Sequence, residues 1–97
     1  MALTGKQRRH LRGLGHHLTP VVHIGKDGLS EAFVGAVEQA LEDHELIKVK
    51  VLETASVDRH EVADELAAAT RAEVAQVLGN TFLLYRARAE DPAISLP

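Results

Sequence analysis

Cysteine and tryptophan are absent from this 97-residue chain, and only three aromatic side chains are present, Phe33, Phe82 and Tyr85. Without cysteine there is no disulfide framework and no thiolate zinc site, a composition compatible with a reducing compartment. No apolar run approaches the ~20 residues that a membrane-spanning helix needs. The residues ahead of the first expected helix are too few for a signal peptide, so a cytoplasmic location is the expectation. Proline is scarce and no segment is of low complexity or repeated. The whole chain, residues 1–97, therefore reads as one domain, with about 87–97 as a loosely ordered tail. A chain of this length buries roughly two-thirds of its unfolded surface, enough for one core without staples.

Catalytic patterns are missing too. Ser30, Ser56 and Ser95 lack a nucleophile-elbow context, and no Gly-Lys-Ser/Thr follows the glycine-rich turn. Six histidines invite a metal reading, but His16 and His17 are adjacent, and His10, His23, His44 and His60 show no ligand spacing. The acidic pairs Glu42-Asp43 and Asp64-Glu65 fall on helices as exposed charge. No enzyme, metal or cofactor is expected.

What is present is charge sorted by segment. The formal net charge is −3. Met1 to Gly28 nevertheless carries Lys6, Arg8, Arg9, Arg12 and Lys26 against Asp27 alone, a local charge of +4. Leu29 to Ile47 carries Glu31, Glu38, Glu42, Asp43 and Glu45 and no Lys or Arg, a local charge of −5. Lys48 and Lys50 then restore positive charge. Local potential, rather than net charge, governs the docking of a polyanion. Each charge run is also what an ordinary solvated face would show.

Local patterns order the elements. Thr4-Gly-Lys-Gln7 is a capping box, Leu11 and Leu14 continue an apolar stripe, and Gly15 is a helix stop, which predicts a helix over about 5–14. Pro20-Val-Val-His-Ile24 reads as a short buried strand and Gly25-Lys-Asp-Gly28 as a turn. A second helix begins at Leu29 or Ser30, with Phe33, Val34, Val37 and Leu41 on one face. Leu46-Ile-Lys-Val-Lys-Val-Leu52 alternates, placing Lys48 and Lys50 on one side of a strand and Ile47, Val49 and Val51 on the other. Asp58-Arg-His-Glu61 starts a third helix. Glu73 to Leu78 and Thr81 to Arg86 are strands joined by Gly79-Asn80, a two-residue hairpin turn of the glycine-first kind. The order α-β-α-β-α-β-β predicts an α/β fold, a single compact domain with a mixed four-stranded sheet packed with helices.

Two constellations carry chemistry. Lys6, Arg8, Arg9 and Arg12, with His10 among them, present cationic donors suited to phosphate oxygens. The Gly25-x-x-Gly28 turn carries Lys26 and precedes a helix start, where backbone N–H groups can approach a phosphate. A Gly-x-x-Gly turn clamps nucleotide backbone in KH modules. Asp27 would repel phosphate, and is placed to cap the following helix instead. His10 and His16 add contacts to phosphate or base. Tyr85 fits the core better than a stacking role. With so few stacking rings, structured RNA read by shape and backbone suits this chain better than single-strand readout.

These residues resemble the CRM domain, the chloroplast RNA splicing and ribosome maturation family, and its stand-alone bacterial YhbY-like members. The stretches that carry the resemblance are Leu3-Thr-Gly-Lys-Gln7, Leu11-Arg-Gly-Leu14, His16, Leu18, Pro20-Val-Val22, Gly25-Lys-Asp-Gly-Leu29 and Gln39-Ala-Leu-Glu42. Glu45-Leu-Ile-Lys-Val-Lys-Val51, Gln76-Val77, Gly79, Leu84-Tyr-Arg86 and Ile94-Ser-Leu-Pro97 complete it in order. The resemblance implies a fold like the C-terminal domain of translation initiation factor three. It also implies RNA binding and association with precursors of the large ribosomal subunit. Its RNA-facing elements fall on the basic first helix, on Gly25, Lys26 and Gly28, and on basic strand positions, for which Lys48, Lys50 and Arg86 are the candidates. His17 and Thr19 stand where related bacterial members often have Pro and Lys, which removes charge from one edge of the patch.

The expectation is a monomeric RNA-binding protein whose partners are large-subunit rRNA, or its precursor, and ribosomal assembly intermediates. The basic helix and the Gly-x-x-Gly loop clamp the backbone while the acidic helices face away. The alternative is a protein-interaction module that docks on ribosomal proteins through those acidic helices.

Overall fold

The structure, a computed structural model, describes residues 3–97. Its elements run α1 (Gly5–Gly15), β1 (Pro20–Ile24), α2 (Glu31–His44), β2 (Leu46–Val51), α3 (Arg59–Thr70), β3 (Glu73–Leu78) and β4 (Thr81–Tyr85). The sheet order is β1-β2-β4-β3. β1 and β2 are parallel, while β2 and β3 each pair antiparallel with β4. The hairpin strand β4 has thus inserted between β2 and β3, so only the β1-α2-β2 crossover joins sheet neighbours.

Each helix start is closed by its own sequence. Thr4 accepts the Gln7 N–H (3.1 Å) while the Gln7 side chain accepts the Thr4 N–H (3.0 Å), the reciprocal bonds of a capping box. Ser30 accepts the Phe33 N–H at 3.1 Å, and Asp58 the His60 N–H at 2.9 Å. Asp27 therefore does not cap α2. Ser30 sits where an N-cap side chain reaches the third helical amide, and Asp27 lies in the turn before it. Two helix ends use positive φ without glycine, Glu45 after α2 (φ 63) and Arg71 after α3 (φ 56).

The sheet separates two cores. On one face α2 and α3 bury Ile24, Val37, Leu41, Ile47, Val49, Val62, Leu66, Phe82 and Leu84. On the other, α1 covers a smaller cluster of Leu3, Leu11, Leu46, Ala75, Leu83 and Tyr85. Tyr85 is a core residue. Gly15 lets α1 approach closely, since a β-carbon there would meet the Leu83 methyls.

Residues 88–96 are tied down, unlike the loose tail expected. Ile94 and Leu96 pack against the α1-side core. The buried Glu45 carboxylate accepts backbone N–H groups from Arg88 (2.8 Å), Ala93 (2.6 Å) and Ile94 (3.0 Å). Burial alone would raise the pKa of this carboxyl. The three backbone donors and the nearby Arg88 charge outweigh it and hold the pKa below the ordinary value.

Candidate nucleic-acid interface

The β2 alternation does what its sequence requires. Ile47, Val49 and Val51 enter the large core, and Lys48 and Lys50 stand half-buried on the face that α1 shares. α1 runs along this face from Leu3, beside Tyr85, to Gly15, over Leu83. Its last turn holds Arg12. Lys6, Arg8, Arg9, His10 and Arg12 are all exposed, and α1 contains no acidic residue. At about 100° per residue, Arg8 and Arg12 share one flank of the helix and Arg9 lies next to them.

The Gly25–Gly28 turn lies at the end of the sheet toward which α1 points. Ile24 pairs with Val51, and the Ile24 carbonyl accepts the Leu52 N–H at 2.8 Å. The Gly28 N–H donates to the Gly25 carbonyl at 3.1 Å and closes the turn. Gly28 has φ +59 with open space around its missing β-carbon, so backbone conformation alone selects glycine there. Lys26 and Asp27 are exposed at the tip. Neither of their backbone N–H groups has a protein backbone partner among the described residues.

Of the ten candidate residues, nine therefore lie on the α1 side or at the loop end of the sheet. Among the described residues, no ion pair engages Lys6, Arg8, Arg9, Arg12, Lys26, Lys48 or Lys50. Arg86 is the exception and belongs elsewhere. Its guanidinium donates to the Glu38 carboxylate (2.7 Å) and the Thr70 carbonyl (2.8 Å), with Glu42 3.7 Å away. It joins the end of β4 to α2 and to the end of α3, on the face opposite α1. Its partners stand 48 and 16 residues away in sequence, so no local pattern reveals the attachment.

The acidic residues segregate as well. Glu31, Glu38, Glu42 and Asp43 lie on α2, and Glu61, Asp64 and Glu65 on α3, with no lysine or arginine on α2. β1, β2 and β4 contain no acidic residue, and β3 contains only Glu73, at the end paired with Tyr85. His16 and His23, exposed on the α1 side, extend the basic face. His23 makes no side-chain hydrogen bond within the described residues. A cleft of about 390 Å³ on this side is mainly apolar and lined by Leu14, Leu18, Val21, Leu46 and Ile94 among others. Among the described residues, no cluster of three metal-ligating side chains occurs.

An α/β domain with one cationic sheet face, one anionic helical face and a glycine-closed turn at the end of the sheet is the class this geometry defines. Residues 3–86 match the CRS1 / YhbY (CRM) domain, and the chain belongs to that family. It is 43% identical over 95 residues to Probable RNA-binding protein YqeI of Bacillus subtilis (strain 168), covering 98% of this chain and 99% of that protein. It is 40% identical over 95 residues to a Haemophilus influenzae protein named RNA-binding protein, covering 98% and 95% of the two. Among solved structures, the Staphylococcus aureus protein SAV1595, determined in solution, superposes with a TM-score of 0.83 at 44% identity, over 98% of this chain and 99% of that one.

Proposed function

We propose that this protein binds RNA, with α1 and the Gly25–Gly28 turn clamping the phosphate backbone, and that its RNA is that of large-subunit ribosomal precursors during assembly. The observation that carries the reading is the segregation of charge. Seven lysines and arginines, none in an ion pair among the described residues, lie on α1, on the α1 side of β2 and at the turn, with no acidic residue on α1, while α2 and α3 carry seven acids on the other side. A polyanion meets only the first side. The names of the relatives support RNA as the partner class. The family resemblance supports the ribosomal setting, and a cytoplasmic site of action and a monomer belong to the same reading. The role is binding rather than catalysis.

The mechanism is electrostatic and geometric. Arginine forks on α1 meet successive phosphates, releasing counterions as they do so. The free amides of the turn approach one phosphate closely because Gly28 holds them in position with positive φ. Crosslinking in cells, with the crosslinked nucleotides mapped, tests the assignment. Crosslinks from α1 and the turn to large-subunit precursor rRNA are expected. Crosslinks only to ribosomal proteins, through α2 or α3, would replace it with the protein-docking alternative.

A further inference from the structure

The strand register aligns one residue from each strand into a row across the α1 side of the sheet. His23 pairs with Lys50, Lys50 with Thr81, and Thr81 with Leu78. The row crosses three inter-strand steps of ~4.8 Å, roughly 14 Å in all. α1 does not cover it, because the helix ends at Gly15, over Leu83. Where α1 ends, a cleft opens onto the row, lined by His16, Lys48, Gln76, Leu78 and Thr81 among others. At the β1 end the chain continues through Ile24 into the Gly25–Gly28 turn. His23 is exposed, Lys50 and Thr81 are half-exposed, and Leu78 is 65% exposed, the most exposed large apolar residue described.

We infer that this row is the path of a short unpaired RNA strand leaving the Gly25–Gly28 turn, with backbone held at His23 and Lys50 and a base lying on Leu78. The inference rests on the RNA-binding reading and specifies which form of RNA that surface takes. Its side chains change character along the row in a way that fits a nucleotide. His23 and Lys50 supply cationic or hydrogen-bonding groups for phosphate. The Thr81 hydroxyl donates to the Leu78 carbonyl at 2.9 Å, which leaves its oxygen lone pairs as acceptors for a ribose hydroxyl. Leu78 has no use against a phosphate or a ribose edge. Its apolar surface gains only from the face of a base, and base faces are accessible only in unpaired RNA. A duplex hides its bases in the stack. Charge complementarity selects a polyanion over an acidic-neutral surface, because no aspartate or glutamate belongs to the row or to its neighbours on β1, β2 and β4. The scarcity of aromatics favours structured RNA for the rest of the surface, and along this row alone an aliphatic platform takes the place of a stacking ring.

The test compares a fluorescein-labelled unpaired ten-nucleotide RNA with a blunt RNA duplex, titrated with full-length wild type, Leu78→Asp, Lys50→Gln and Arg9→Ala. Circular dichroism and melting temperature establish that the variants are folded, which the exposure of Leu78 favours. Leu78→Asp is expected to weaken the unpaired RNA about tenfold while changing the duplex less than about twofold, and Lys50→Gln to weaken the unpaired RNA more than the duplex. Arg9→Ala is expected to weaken both. Folded variants that hold the unpaired strand at full strength overturn the path and leave the RNA reading standing. Equal losses on both probes also overturn it. Wild-type protein that binds neither probe overturns the RNA reading and the path together. A polyglutamate peptide that displaces the strand and loses affinity equally in Leu78→Asp would reassign the row to an acidic peptide.

Discussion

A β-carbon on Gly15 would stand 2.5 Å from Leu83 Cδ1 and 2.8 Å from Cδ2. Leu83 is itself buried among Leu11, Ala75 and Tyr85, so its methyls have little room to retreat. Gly15→Ala should therefore lift the end of α1 from the sheet and cost about 1–3 kcal/mol, the range for overpacking a filled core. Thermal or urea unfolding measures this. The double variant Gly15→Ala/Leu83→Ala should recover part of the loss, and a double variant as unstable as the sum of the two singles would refute the contact.

Binding to structured RNA should weaken steeply with salt. With about five side chains on phosphates, the log–log slope falls near −3 to −5, at ~0.7–0.9 per contact. Arg9→Ala and Arg12→Ala should each lower affinity and reduce the slope by about one. A slope near zero excludes the electrostatic clamp.

Arg86→Met should behave in the opposite way. The guanidinium holds Glu38 and the Thr70 carbonyl in a half-buried position, and its removal leaves both without that donor. A stability loss of about 1–3 kcal/mol is expected, with the RNA salt slope unchanged. Glu38→Lys, on the acidic face, should destabilise for the same reason, by placing two cations together.

Gly28→Ala should cost about 1 kcal/mol of stability through its positive φ, since no neighbouring atom lies within 4 Å of the added carbon. The protein stays folded and its affinity for RNA drops as the turn shifts. Gly28→Asn, which tolerates this region better, should retain more of both. Asp27→Asn should bind as well as wild type or better, because it removes a negative charge from an exposed tip that caps nothing. Calorimetric titration of folded variants decides each point.

Glu45 sets the acid limb of stability. Its carboxyl titrates below the ordinary value in the fold, so the ionised form is the stabilised one. That contribution is fully present above the ordinary carboxylate range and is lost as pH falls through the lowered folded value. The Ala93 and Ile94 amides should exchange with solvent faster as the acid limb is crossed. Glu45→Gln should raise their exchange at neutral pH and flatten the acid dependence. Unchanged protection in the variant would remove Glu45 as the anchor.

Much of this structure was legible in residue spacing. Thr4 and Gln7, three apart, announced the start of α1, and Val49 between two lysines announced both sides of β2. The family resemblance pointed to the same fold. What was not legible depends on distance along the chain. Arg86 looks like one more exposed cation until the fold brings Glu38 to it. Glu45 looks like one member of an acidic run until its backbone turns to φ 63 and buries it under residues 88–94. The row from His23 to Leu78 depends on the register of four strands, and register is a property of pairing rather than of any one segment.

The opposed faces also govern how the molecule approaches its partner. It is 37 × 25 × 23 Å and carries −3 overall. In dilute salt, where fields reach ~30 Å, an RNA senses the whole particle and its repulsive sum. Near physiological ionic strength the reach shrinks to ~8 Å, shorter than the protein is thick, and only the nearest side is felt. An encounter with α2 or α3 leading is repelled, while one with α1 leading is held. The charge arrangement makes the protein a dipole that a polyanion rotates before it captures. Its association rate should accordingly pass through a maximum as salt is raised, instead of falling from the outset.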